Sequence, residues 1–391
     1  MPSPRAYLDH NATTPLRPAA RAAMLAAVDG VGNASSVHGE GRRARALVES
    51  ARATIAGFVK TEPKNVYFAS GATEALNLVL TPELELDGNK APFEILLVAA
   101  GEHAAVLQGH RFPVAGVEKL PLTADGVLDL AALDAALARH AGRRVLVALQ
   151  AANNETGVLQ PVAGAAARAH AAGGALVCDA VQAAGKIACH FRALGADVLV
   201  LSGHKIGGPQ GVGALCFADG RHHIGTRLIR GGGQERGLRA GTENVAAIAG
   251  FAAAIKAAAE TGAAEMAAAL ALRERLERDL LEMAPEATIF GSAAVRLPNT
   301  VDFAVPGVSA EVLLMALDLQ GVAVSSGSAC SSGKVKRSHV LEAMGVPSDL
   351  ADGAIRVSLG WTSEEADIEL FRIGFMKAIE TIRSKRVKPA A

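Results

Sequence analysis

Only four cysteines occur in the 391 residues, at positions 178, 189, 216 and 330, and none stand at the short paired spacings that build a disulfide framework or a zinc site. No metal is therefore expected. Neither sign of charge dominates: 39 basic residues balance 39 acidic ones, and no basic block of the size a nucleic-acid groove needs is present, so no nucleic acid is expected as a partner. Apolar runs of about 18 or more residues are missing, and Met1-Pro-Ser-Pro-Arg5 lacks the apolar core of a secretory signal. These absences predict a cytoplasmic protein without membrane contact. A nicotinamide cofactor is disfavoured, because no Gly-x-Gly-x-x-Gly follows the first apolar run. A P-loop fails as well: Val335 follows Gly333-Lys334 where Ser or Thr is required.

What is present is an α/β rhythm. Short apolar runs at Val66-Tyr-Phe-Ala, Glu94-Ile-Leu-Leu-Val-Ala, Arg144-Val-Leu-Val-Ala-Leu, Ala175-Leu-Val-Cys and Asp197-Val-Leu-Val-Leu are mostly separated by helical stretches. That alternation predicts a largely parallel sheet with helices on both faces. An alanine-rich helix from Asn244 to about Met283 reads as a hinge. Beyond it, runs at Asn299–Phe303, Val322–Val324 and Ile355–Ser358 suit a smaller α+β domain. Cys178 and Cys216 lie within apolar runs and read as core residues.

Polar residues cluster after the carboxyl ends of the apolar runs, the edge where open α/β sheets bind ligands. Lys205, in Ser202-Gly-His-Lys205, is stranded between an apolar strand and a glycine-rich loop. Partial desolvation there would lower its pKa and let it form a Schiff base with a carbonyl cofactor, whereas a lone lysine is more often a solvated loop residue. Asp179 ends a wholly apolar strand and needs a cationic partner such as a protonated pyridine nitrogen, or else it is a helix N-cap. His103 suits ring cover and proton transfer, with a capping role as the plain alternative. Gly71-Ala72-Thr73 opens a helix after a strand, which suits a phosphate, with Ser202 and His204 able to add donors. Cys330 stands in Ser325-Ser-Gly-Ser-Ala-Cys-Ser-Ser-Gly333, a run with little to bury and freedom to move. Lys334, Lys336, Arg337 and His339 follow, and nearby cations enlarge the thiolate fraction of a cysteine.

Taken together, Tyr7-Leu-Asp-His-Asn-Ala-Thr-Thr-Pro15, Ser70-Gly-Ala-Thr-Glu-Ala75, Glu102-His103, Asn153-Asn-Glu-Thr-Gly157, Asp179-Ala-Val-Gln182, Ser202-Gly-His-Lys205, the Arg230 to Asn244 segment and Ser325 to Gly333 make the chain resemble the cysteine desulfurases of the NifS/IscS type. These are class V, fold-type I pyridoxal-phosphate enzymes. The resemblance implies a large domain (14–258) with a mostly parallel seven-stranded sheet, and a small domain (1–13 and 259–391) carrying the Cys330 loop. It implies pyridoxal 5'-phosphate as cofactor, with Lys205 as Schiff-base lysine, Asp179 on the pyridine nitrogen, Gln182 on the ring hydroxyl and His103 on the ring. Ala72, Thr73, Ser202 and His204 would hold the phosphate, with Thr242 from the second subunit of a homodimer. Asn154 belongs to the cofactor site and, with Arg356, to the substrate carboxylate; Cys330 is the persulfide-forming nucleophile. The implied reaction converts L-cysteine to L-alanine and passes sulfur to a protein acceptor such as an iron–sulfur scaffold. A selenocysteine lyase or a class V aminotransferase would share much of this site, but an aminotransferase has no need of Cys330. His10, where many relatives have Asn, and Ala34, in place of a common Pro, are departures outside the implied catalytic roles.

Overall fold

The computed structural model describes residues 5–326 and 337–387. Seven strands form the main sheet, in the order Val66–Ala69, Gly213–Phe217, Val198–Ser202, Ala175–Asp179, Val145–Gln150, Ile95–Ala99 and Val117–Leu120. Every neighbouring pair is parallel except the two made by Gly213–Phe217. The fold-type I sheet implied by the sequence is thus present. Side chains alternate across it, with Leu97, Val147, Cys178 and Leu199 packing on one face and Leu96, Leu146, Val177 and Val200 on the other. Helices cover both faces, so the strands are continuously apolar and only their ends can carry polar groups.

Helix Val245–Met283 starts where the Asn244 side chain accepts the Ala247 N–H at 3.1 Å. Its first half places Ile248, Phe251 and Ile255 in the core of the large sheet. The second half places Leu272, Leu276 and Leu280 in another core, with Phe303, Phe371 and Phe375. Length and composition alone would let this helix cross a membrane, which departs from the sequence expectation, yet half of its most apolar stretch is buried within the protein. The two cores account for its apolar faces.

A smaller antiparallel sheet runs in the order Thr288–Ile289, Thr300–Ala304, Ile355–Ser358 and Ser325–Ser326. Its last strand corrects the reading of the serine-rich run as mobile from its start: Ser325 and Ser326 are buried, and Ser325 lies opposite Arg356. Val322–Ala323 does not join this sheet but pairs in parallel with Ala6–Tyr7. The chain then crosses from this region to the main sheet as a strap. Asp9 bridges Ser358, and the Thr14 and Arg17 N–H groups donate to the carbonyls of His204 (2.9 Å) and Gly207 (2.8 Å).

Candidate active site

The site begins where two adjacent parallel strands, Ala175–Asp179 and Val198–Ser202, end at the same sheet edge. After Ser202 the chain turns through a 3-10 helix, Gly203–Lys205, and the Lys205 Nζ donates to the main-chain oxygens of Asn11 (2.5 Å) and Ala12 (2.8 Å) on the strap. Burial, with Arg356 adding to it, pushes its pKa down to about 8 from 10.5, against the opposing pull of Asp9 and Asp179. The lysine is therefore no solvated loop residue. An appreciable share of its amine is neutral near physiological pH.

Asp179 is buried, and its Oδ1 accepts the Val181 N–H at 3.0 Å, so the capping interaction is real. Burial still holds its pKa above the usual carboxylate range, even though Val181, His103 and Lys205 favour the anion. A carboxyl that is costly to charge in isolation is suited to receive a cationic ring nitrogen. His103 likewise caps, its Nδ1 accepting the Ala105 N–H at 3.1 Å. In the neutral ring this leaves the proton on Nε2. Burial lowers the His103 pKa, Asp179 raises it, and Lys205 and His339 lower it further, which places these groups in one electrostatic neighbourhood. Gln182 is buried and donates from Nε2 to the Asn11 carbonyl at 3.0 Å.

Helix Ala72–Val79 opens at Gly71 with no side-chain cap, so its first N–H groups remain available at the sheet edge, with Thr73 in the first turn. Gly213 keeps this edge open: a Cβ there would lie 2.7 Å from the Gly71 carbonyl carbon. Ser202 is buried at its strand end, and the His204 Nδ1 lies 3.2 Å from the Thr13 hydroxyl. Burial and Lys205 bring the His204 pKa down to about 4, so the ring is neutral at pH 7. An uncapped helix start, hydroxyls, an amine with lowered pKa and a buried carboxyl together fit a phosphorylated pyridine aldehyde, the group implied by the sequence.

From the smaller sheet, buried Arg356 reaches this edge. Its Nη1 donates to the Asn154 main-chain oxygen (3.0 Å) and its Nη2 to Asp9 Oδ1 (2.8 Å), while Nε has no partner among the described residues. Asn154 thus meets Arg356 through its backbone. Thr242 is exposed in the segment tied to helix Ala72–Val79 by the Arg239–Glu74 ion pair at 2.9 Å, and no hydrogen bond joins it to Lys205 or Asp179 among the described residues. Cys330, with Lys334 and Lys336, lies outside the described residues. Arg337, counted among its cationic neighbours, is bound to Asp352 at 2.8 Å, and the His339 Nε2 sits 2.9 Å from the Glu102 carbonyl.

Two residues given no role by the sequence reading stand at the back of the site. Asn11 accepts from Lys205 and Gln182 through its main-chain oxygen and donates through Nδ2 to the Asn154 oxygen (3.2 Å) and Thr300 Oγ1 (2.9 Å). Lys186 donates to Asn11 Oδ1 (2.9 Å) and Gln182 Oε1 (3.0 Å). The only signal for Lys186 was a lone lysine in the short stretch after Asp179.

Residues 6–371 match the family described as aminotransferase class-V. The chain is 42% identical over 373 residues to a cysteine desulfurase of Cereibacter sphaeroides, covering 93% of each chain. It is 40% identical over 371 residues to an IscS-like cysteine desulfurase of Mycobacterium tuberculosis, again covering 93% of each. Among solved structures it is similar to a NifS-like protein from Rickettsia africae, with a TM-score of 0.86, 33% identity and coverage of 96% of this chain and 100% of the other.

Proposed function

The chain belongs to the class V aminotransferase family and, within it, is a pyridoxal-phosphate-dependent cysteine desulfurase; from that premise we propose how its residues divide the work on L-cysteine. The observation that carries this reading is the juxtaposition of Lys205 and Asp179 at the ends of adjacent strands, with Arg356 arriving from the smaller sheet. When bound, pyridoxal phosphate supplies an electron sink for bonds broken at the substrate. Lys205 would hold the cofactor's aldehyde and would take the Cα proton of L-cysteine. Asp179 keeps the pyridine nitrogen protonated, Gln182 donates to the ring hydroxyl oxygen, and His103 covers the ring and carries protons. Ala72, Thr73, Ser202 and His204 hold the phosphate, with Thr242 from the partner subunit of a homodimer. Arg356, with Asn154, binds the substrate carboxylate, a role that suits a guanidinium.

Cys330 thiolate then takes the sulfur. A bond forms between Cys330 Sγ and the substrate sulfur as the Cβ–S bond breaks; its electron pair stays with Cβ, which gains a proton, and Lys205 returns the proton it took to Cα, so that the product is L-alanine. The persulfide passes its outer sulfur to a protein acceptor for iron–sulfur cluster assembly in the cytoplasm. The division into 14–258 and 1–13 with 259–391 belongs to the same reading, and the handover of helix Val245–Met283 between two cores supports it.

Two measurements test these assignments. The rate at which apoprotein gains the visible absorbance of bound pyridoxal phosphate should rise with pH and level off above about 8, because only the neutral Lys205 amine reacts; a rate still climbing toward 10.5 would mean an unshifted lysine. Asp179→Asn should bind the cofactor yet lose roughly 10²- to 10⁴-fold in kcat, since a neutral amide cannot hold the ring nitrogen protonated. Wild-type kcat in that variant would remove Asp179 from the assignment.

A further inference from the structure

Lys186 is a lysine whose amine lies at the back of the site and takes no part in the chemistry above. It follows Gly185, whose φ of +79° is a left-handed conformation and whose Cβ, if present, would lie 2.9 Å from Ile206 Cγ2. The turn directs the lysine back beneath the strap. There it meets two amide oxygens, Asn11 Oδ1 at 2.9 Å and Gln182 Oε1 at 3.0 Å, and no carboxylate pairs with it among the described residues. Burial, with the cations Lys205 and Arg356 adding to it, pushes the Lys186 pKa down to about 7, and its charged form in turn opposes protonation of buried His10. Asp9 and Asp179 are the acids of the same neighbourhood, acting on Lys205.

Placing a cation among cations, with only neutral partners, has little merit as a stabilising device. It has a clear geometric consequence. Charged or neutral, the amine has the two N–H groups these contacts use, and both amides that touch it turn their oxygens toward it. For Gln182 this puts Nε2 on the opposite side, where it donates to the Asn11 carbonyl and has no second acceptor among the described residues. For Asn11 it fixes Nδ2 toward Asn154 and Thr300, and the main-chain oxygen is left to hold Lys205.

We propose that Lys186 is a positioning residue for the cofactor: its N–H donors hold the Gln182 amide so that an N–H, and not the carbonyl oxygen, meets the ring hydroxyl oxygen of pyridoxal phosphate. The inference rests on the assignment of Gln182 to that oxygen. An N–H there favours the oxygen's anionic form, and a carbonyl would oppose it.

The test is the pH at which the visible spectrum of the bound cofactor changes, read on the holoenzyme by titration without substrate. In Lys186→Met, which keeps the stem and removes the donors, the transition should move upward by about one pH unit or more. Lys186→Arg, still a cationic donor, should stay within about 0.3 unit of wild type. On a Gln182→Ala background, Lys186→Met should add no further shift, because the effect runs through the amide. An unmoved transition in folded Lys186→Met, full additivity with Gln182→Ala, or an Arg variant displaced by a unit would each overturn the proposal. Should Lys186→Met not fold, the Arg comparison decides alone. If Gln182→Ala itself leaves the transition unmoved, the underlying assignment of Gln182 fails. If Gln182→Ala moves the transition and Lys186→Met does not, only the role of Lys186 fails.

Discussion

Lys205→Ala is expected to lower L-alanine formation from L-cysteine by at least about 10⁴-fold, because under the proposed assignment it removes both the covalent attachment of the cofactor and the base at Cα. No neighbour can take over both roles. Lys186 has its amine turned to the oxygens of Asn11 and Gln182, and Arg356 is committed to Asp9 and Asn154. His103, the proposed proton carrier, would remain but cannot bond an aldehyde durably. The variant should keep its fold, since among the described residues the Lys205 side chain bonds only to the two strap carbonyls, and the strap is also held by Thr14, Arg17 and the Arg17–Glu265 pair at 2.5 Å. Steady-state alanine release, with circular dichroism as a folding control, checks this. Turnover within about tenfold of wild type would refute the assignment of Lys205.

Cys330→Ser should leave the cofactor spectrum unchanged and still lower alanine release by roughly 10³-fold or more. The reason is chemical. A thiol with pKa near 8.5 supplies some thiolate at neutral pH and lower pKa values supply more, whereas a serine hydroxyl supplies almost no anion and is a poor nucleophile toward sulfur. Among the cationic sequence neighbours, Arg337 is ion-paired with Asp352 and the His339 ring is engaged at the Glu102 carbonyl, which leaves Lys334 and Lys336 to favour the thiolate. The contrast between the two variants matters: Lys205→Ala should lose the spectrum and the activity together, and Cys330→Ser only the activity. A Cys330→Ser enzyme that still released alanine at full rate would be acting as a lyase that needs no protein nucleophile.

The sheet and its catalytic edge were legible because a strand buried on both faces must be apolar throughout, so the polar residues that end it stand out. Lys205, Asp179, His103 and Thr73 were singled out that way. Asn11 and Lys186 were not, because their meaning comes from the strap crossing to residues far along the chain, a contact between positions 175 residues apart. Spacing carries no trace of that. Ser325–Ser326 was misread for a different reason. Small polar residues give no hydrophobic period, and only pairing with Ile355–Ser358 makes them a strand. His103 and Asp179 each cap a turn with one atom, and the proposed roles fall to the other polar atom of each side chain.

The central claim is that sulfur leaves L-cysteine by way of Cys330. The measurement that tests it most directly is the mass of the Cys330-bearing peptide after the holoenzyme is mixed with L-cysteine without a reductant, alongside the alanine formed. The account predicts that this peptide alone gains one sulfur atom, in step with one alanine per active site in the first turnover. Alanine formed with no sulfur on Cys330, or with the sulfur on Cys178, Cys189 or Cys216, would contradict it.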